Sequence, residues 1–307
     1  MITERRDESD GVLSLVLERP DGGALPAWEP GAHVDVVLDE GLVRQYSLCS
    51  DPDDDRRWRL GILRVPDGRG GSEWVFDKLH GSDIVEVGEP RNHFGLQPAA
   101  RYVFVAGGIG ITPILPMIAH ASRSGAQWTL LYGGRSRSSM AFLDELARYG
   151  DRVTVVPQDE AGLLDLASVL DDLEPDTGVY ACGPEPLLDA VADRMGDRPA
   201  GSLHVERFTP RETTSDSASF SVMFRASGVT ATVPPDRSIL DVAEEAGVVA
   251  DWSCREGTCG SCETPLVGGR AEHRDSVLSG EEQAAQDCLM ICVSRAERGC
   301  PLLELDL

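Results

Sequence analysis

The order of apolar and polar positions changes character twice along the chain. Up to about residue 98, short runs at 11–19, 33–38, 44–49, 58–65 and 83–87 alternate apolar and polar residues, with Gly, Pro and Asp between them. A period of two puts successive side chains on opposite faces of a strand, and several such runs in close succession predict an antiparallel β-barrel. One helix is predicted over 72–79, with Ser72 as its N-cap. From 99 to 209 the runs at 102–106, 128–132, 153–156, 179–182 and 203–208 are continuously apolar, and helical stretches at 113–124, 138–149, 163–173 and 186–195 separate them. Strand and helix in alternation predict a parallel, doubly wound α/β sheet that binds ligands at the carboxyl ends of its strands. A polar, aperiodic run from Thr209 to Ser219 predicts a linker over 210–219. Beyond it come a hairpin at 220–225 and 229–233 and a helix at 238–246. The predicted division is therefore 1–98, 99–209, a linker at 210–219, and 220–307.

Composition narrows this picture. The stretch 102–122 carries no formal charge with His120 neutral and is long enough to span a bilayer. Gly107, Gly108, Gly110, Pro113 and Pro116 break it in the middle, so a buried strand, a turn and a helix start fit better. A net charge of −24 repels phosphate, which argues against nucleic acid and anionic membrane surfaces as partners. The first ten residues are charged and carry no apolar core, so no signal peptide is expected. Four of the eight cysteines (Cys49, Cys182, Cys288 and Cys300) are scattered singly, which is the usage of a reducing, cytoplasmic compartment.

The other four carry the chemistry. Cys254, Cys259 and Cys262 form C-x4-C-x2-C, and Cys292 follows after 29 intervening residues. This is the plant-type spacing for a [2Fe–2S] cluster, in which two bridged irons need four thiolates. Gly257 and Gly260 let the loop turn tightly, and the small Thr258 and Ser261 leave backbone N–H groups free to point at sulfur. A four-cysteine zinc site is the rival, but it usually comes as two C-x2-C pairs. Cys288 competes with Cys292 for the fourth place.

Two glycine turns suit phosphate. Gly68-Arg69-Gly70-Gly71-Ser72 precedes the first predicted helix, and Gly107-Gly108-Ile109-Gly110-Ile111-Thr112-Pro113 follows the first parallel strand. The second is not G-x-G-x-x-G, yet its glycines admit a pyrophosphate, and Thr112 with Pro113 read as N-cap and first helical residue. The six histidines show no ligand-like spacing and read as structural.

With these motifs in register, the whole chain resembles the phthalate dioxygenase reductase family of ferredoxin reductase-like flavoproteins. The matching stretches are Arg44-Gln45-Tyr46-Ser47-Leu48, Gly70-Gly71-Ser72, Gly107 to Pro113, Ala181-Cys182-Gly183-Pro184-Glu185, Glu206-Arg207-Phe208, the cysteine loop and Cys292-Val293-Ser294-Arg295-Ala296. The resemblance implies an FMN-binding barrel, an NAD-binding α/β domain and a C-terminal α+β (β-grasp) plant-type ferredoxin. Arg44, Tyr46, Ser47 and Leu48 would line the flavin, with Ser47 near the ring nitrogen that accepts hydride. Gly70, Gly71 and Ser72 would hold the FMN phosphate. Gly108, Gly110, Thr112 and Pro113 would take the nicotinamide cofactor. Cys182, Gly183 and Pro184 would sit where nicotinamide meets flavin, and Phe208 would pack on the isoalloxazine. Cys292 would be the fourth cluster ligand.

The implied activity passes electrons from NADH through FMN and the [2Fe–2S] cluster to a Rieske-type oxygenase acting on an aromatic or similar small molecule. A cytochrome P450 is the alternative acceptor. An acidic cluster domain, with 7 Arg against 15 Asp or Glu from residue 220 onward and so a net of −8, predicts a basic dock on the partner. A redox-sensing regulator would need a further module, and a zinc-bearing flavoprotein would lack electron output. Arg135 and Arg137 could reach the 2′-phosphate of NADPH, bind a pyrophosphate or be solvated loop charges; the resemblance favours NADH. A monomer is the default implied by the family.

Overall fold

A computed structural model describes residues 1–39, 41–66, 68–196, 198–199, 201–210 and 218–307. They fall into two compact units, Met1–Glu206 and Arg207–Leu307. Most of the expected linker, 211–217, lies outside the described residues.

The first unit opens with strands β1 (Ile2–Ser9), β2 (Val12–Leu17), β3 (His33–Asp39), β4 (Leu42–Ser47) and β5 (Trp58–Leu63), helix α1 (Gly71–Lys78) and the short β6 (Glu86–Val87). The expected barrel is not one closed sheet. It resolves as two three-stranded antiparallel sheets, β1-β2-β5 and β4-β3-β6, over a shared core of Leu13, Leu15, Val34, Val36, Leu48, Leu60 and Ile62. An isolated Leu48–Leu60 bridge joins them on one side, and Ile2 exchanges backbone bonds with Ser82 and Asp83 on the other. Between β4 and β5 the chain turns through Asp51, Pro52 and Asp54, where Asp54 N–H bonds Asp51 O, so no continuous ladder forms there. β1 escapes the hydrophobic pattern because its side chains are largely exposed. Of its eight residues only Ile2 is fully buried, and its ladder to β2 holds it in place.

The rest of this unit comprises β7 (Arg101–Gly107), α2 (Ile111–Ser124), β8 (Gln127–Gly134), α3 (Leu143–Ala147), β9 (Val153–Pro157), α4 (Gln158–Ala161), α5 (Ala167–Leu170), β10 (Thr177–Cys182), α6 (Glu185–Met195) and β11 (Leu203–Glu206). All five strands are parallel, in the order β11-β10-β7-β8-β9. The chain winds outward from β7 on one side and then on the other, so β7 and β10 flank the switch point where ligands bind in such sheets. Phe104, Tyr132 and Tyr180 are fully buried in this layer, each contributing on the order of 1.5–3 kcal/mol. The helices expected at 138–149 and 163–173 shrink to α3 and α5. Phe142 takes φ 63°, which interrupts the first, and Ser168 bonds back to Asp165, a local alternative to helix in the second.

The second unit holds β12 (Phe220–Phe224), β13 (Val229–Val233), α7 (Ile239–Glu245), β14 (Glu263–Gly268), β15 (Ala271–Glu272), α8 (Gly280–Ala285), β16 (Cys288–Met290), β17 (Arg295–Ala296) and β18 (Leu302–Leu305). Its main sheet runs β13-β12-β18-β14-β16, with β12 and β18 parallel and α7 packed on its core through Ile239, Leu240 and Ala243. Ser238 caps α7 in a reciprocal box with Asp241. This is the β-grasp arrangement. Its later strands are two to six residues long, too short to show a period in sequence. No helix among the described residues is long and apolar enough to cross a membrane.

Candidate functional site

The cysteine loop runs between α7 and β14. Cys254, Cys259, Cys262 and Cys292 are all buried free thiols. Cys254 bonds Cys259, Cys262 bonds Cys292, and a Cys254–Cys292 contact joins the two pairs. These hydrogen bonds pull the Cys254 and Cys262 thiols below the ordinary range and push Cys259 and Cys292 above it. Among the described residues no set of three or more His, Cys, Asp or Glu side chains is arranged around a single ion. Two irons instead ask for two thiol pairs brought together, and these four thiols fit that demand. Cys288 stands apart on β16, where burial and Glu263 push its thiol up to about 12.

The loop supplies donors to sulfur. Glu256 N–H lies 3.3 Å from Cys254 Sγ and the Thr258 side chain bonds the same sulfur, while the Cys259 thiol itself donates to the Ser261 hydroxyl at 3.3 Å. Gly257 makes the turn possible: its φ is +70°, and a Cβ there would stand 2.6 Å from Val293 and 3.0 Å from Asp275. Asp275 is itself buried and accepts the N–H groups of Val277 and Leu278. Next to the loop, Arg255 adopts a left-handed φ of 58°, lies 3.9 Å from the centre of the exposed Trp252 ring and pairs with Asp241 and Glu244 of α7.

In the first unit the flavin candidates cluster at the end of β4 and the start of α1. Arg44 donates to the carbonyls of Val43 and Arg69. Its side chain crosses Gly71, where a Cβ would come within 2.5 Å of it. Tyr46 is largely buried, which pushes its phenol up to about 12, and Ser47 and Leu48 are buried. α1 starts one residue earlier than expected, with Gly70 as its N-cap, and Ser72 instead accepts the N–H of Val65. An arginine beside a helix N-terminus with no side-chain cap is chemistry that fits a phosphate.

The nicotinamide candidates meet at the switch point. A Cβ on Gly110 would lie 2.2 Å from Cys182 O and 2.8 Å from Gly183 N, so only glycine lets this turn close on the loop after β10. α2 begins at Ile111, and Thr112 is not its N-cap but lies within its first turn, donating to Ile109 O. Pro113 then falls among the first N–H groups, which have no intrahelical partner anyway. Pro184 caps α6. The two halves of the unit touch here: a Cβ on Gly61 of β5 would stand 2.6 Å from Thr112 and 3.1 Å from Phe142, one residue from the Leu48–Leu60 bridge. Arg59 reinforces the contact, bonding Glu145 at 2.8 Å and covering the Phe142 ring.

Glu206, which opens the Glu206-Arg207-Phe208 stretch, is placed by strand register beside a nicotinamide candidate. It pairs with Cys182 across β10 and β11, with Cys182 Sγ 3.9 Å from its carboxylate. Burial pushes its carboxyl up to about 8 and the Cys182 thiol higher than usual. Phe208 lies in the second unit and is 42% exposed. Arg135 is exposed after β8. A cavity of about 350 Å³ between Leu96, Tyr102, His120 and Ser124 lies at the opposite, amino-terminal end of β7.

Residues 104–193 match the oxidoreductase NAD-binding domain family, and 223–297 match the 2Fe-2S iron-sulfur cluster binding domain family. The phthalate 4,5-dioxygenase oxygenase reductase subunit of Pseudomonas putida is 40% identical over 311 residues, covering 99% of this chain and 95% of its own. The solved structure of phthalate dioxygenase reductase, described as a modular structure for electron transfer from pyridine nucleotides to [2Fe-2S], is 37% identical with a TM-score of 0.73, over 100% of this chain and 96% of its own. The chain belongs to the phthalate dioxygenase reductase family. It is an oxidoreductase with NAD-binding and [2Fe–2S] domains, and FMN is the flavin of this family. An intact type IV self-sufficient cytochrome P450 monooxygenase is also similar, at 41% identity and a TM-score of 0.92 over the whole of this chain. This chain spans 40% of that longer one.

Proposed function

We propose that this protein is the reductase component of a two-component oxygenase, taking electrons from NADH and delivering them to a Rieske-type oxygenase that acts on an aromatic or similar small molecule. The observation that carries this reading is the full-length similarity to an oxygenase reductase subunit. FMN, when bound, would supply the conversion between two-electron hydride chemistry and one-electron transfer.

The chain's own residues do the positioning. Arg44 and the start of α1 hold the FMN phosphate through Gly70, Gly71 and Ser72, while Tyr46, Ser47 and Leu48 line the ring. Gly108, Gly110, Thr112 and Pro113 seat the nicotinamide cofactor, and Cys182, Gly183 and Pro184 form the wall where hydride passes. Glu206, with its carboxyl held near 8, stays largely neutral at about pH 7 and keeps a negative charge away from that wall. Cys254, Cys259, Cys262 and Cys292 ligate the cluster. The partner presents a basic surface to the acidic cluster domain, and the protein works as a cytoplasmic monomer.

A cytochrome P450 acceptor is the second reading, favoured by the similarity to the self-sufficient P450. The first experiment is an anaerobic titration of the purified protein with NADH, followed by its visible spectrum. Flavin bands and an iron–sulfur shoulder that both bleach support the electron chain. Flavin colour alone, with zinc in the cysteine loop, would sink it.

A further inference from the structure

The loop after β8 carries two arginines, and the structure treats them differently. Arg137 is held by Glu160 of α4 in a two-point bond, Nε to Oε1 at 3.1 Å and Nη2 to Oε2 at 2.7 Å. Arg135 is exposed and its side chain has no partner among the described residues. The two loops are also tied through the backbone, with Asp159 N–H donating to Arg135 O at 3.2 Å. β8 and β9 are parallel neighbours, with Gly134 opposite Pro157, so all four charged residues stand at the carboxyl edge of the sheet.

That edge, after the second strand of a doubly wound sheet, is where the adenosine ribose of a dinucleotide falls. A carboxylate there accepts the ribose 2′-hydroxyl of NADH, whereas an arginine accommodates the 2′-phosphate of NADPH. This loop holds both chemistries. Arg135 and Arg137 against Asp159 and Glu160 sum to no net charge, so no positive field is left to attract a phosphate dianion. The guanidinium edge that would grip the phosphate is already filled by Glu160. Of the roughly four acceptor positions of a carboxylate, about two remain open on Glu160 to a hydroxyl.

We propose that Glu160 sets the choice of nicotinamide cofactor: by occupying Arg137 it makes the loop select NADH, and it masks a latent NADPH site built from Arg135 and Arg137. The proposal rests on reading the chain as an NADH oxidoreductase, and it adds the residue that decides between the two cofactors. The pair is about half exposed on each side, so its own strength is small; the discrimination comes from the carboxylate charge that stays beside any incoming phosphate.

The test uses the full-length protein with 5′-ADP and 2′,5′-ADP as probes, read by calorimetry, and with NADH and NADPH, read as kcat/KM toward ferricyanide. Wild type should bind 5′-ADP at least as tightly as 2′,5′-ADP. Glu160→Gln should shift the ratio toward 2′,5′-ADP by about tenfold, the scale of one charged contact, and should raise NADPH kcat/KM in parallel. Adding Arg137→Ala to Glu160→Gln should reverse that gain. An unchanged visible spectrum in each variant checks the fold. A wild type that prefers 2′,5′-ADP, or a Glu160→Gln variant with an unshifted ratio, would overturn the proposal. If neither nucleotide binds and neither NADH nor NADPH bleaches the flavin, the oxidoreductase reading falls and takes this one with it.

Discussion

Among single residues, Gly257 shapes the cluster loop that carries the cysteines. Gly257→Ala places a methyl 2.6 Å from Val293 on a backbone already at φ +70°, so it should lower cluster content severalfold, measured as iron and acid-labile sulfide per chain. Cys292→Ser should abolish the iron–sulfur absorption while Cys288→Ser keeps it; the opposite result would reassign the fourth ligand. Glu206 gives a prediction in pH. Its carboxyl titrates near 8 in the folded protein, against an ordinary 4.5. Between those values the folded state keeps a proton that the unfolded chain has released, so stability falls as pH rises through this window. Glu206→Gln should remove that slope, gaining stability on wild type at about pH 8.5 but not at about pH 4.5, read by urea unfolding. The cysteine spacing is legible in the chain, whereas the Glu206–Cys182 pair is not, because strand register brings those two residues together over 24 positions.

Among the elements, strands with an alternating or continuously apolar pattern are readable, at sheet edges as well as centres, whereas a strand as exposed as β1 is not. β1 needs no apolar face, since its ladder to β2 supplies its bonds. The starts of α1 and α2 fall within two residues of expectation but with different caps: glycines take the cap, and Ser72 and Thr112 bond elsewhere. At α7 the serine does cap. Ser238→Ala removes the bond from Asp241 N–H and should cost about 1 kcal/mol of stability in the cluster unit, measured by loss of cluster absorbance on heating.

For the molecule as a whole, charge and division into units govern partner transfer. With a net charge of −24, reduction of a basic acceptor such as cytochrome c should slow steeply as salt rises toward physiological strength, where charges are screened beyond about 8 Å. A rate indifferent to salt would remove the basic dock. Residues 1–206 form one compact unit; expressed with Phe208 retained, as residues 1–210, they should bind flavin and pass electrons from NADH to ferricyanide but not to cytochrome c. Transfer to cytochrome c at the full-length rate would show that the cluster is not on the path.

The strand–helix alternation of the parallel sheet and the C-x4-C-x2-C spacing could be read from the chain, because periodicity and short-range spacing are local properties. Other features exist only once the chain has folded. The barrel stands as two sheets, Cys182 meets Glu206, and Arg137 is bound to Glu160 while Arg135 stays exposed. Each of these depends on which distant segments lie side by side, and that is fixed by strand register and close backbone approach rather than by the residues nearest in sequence.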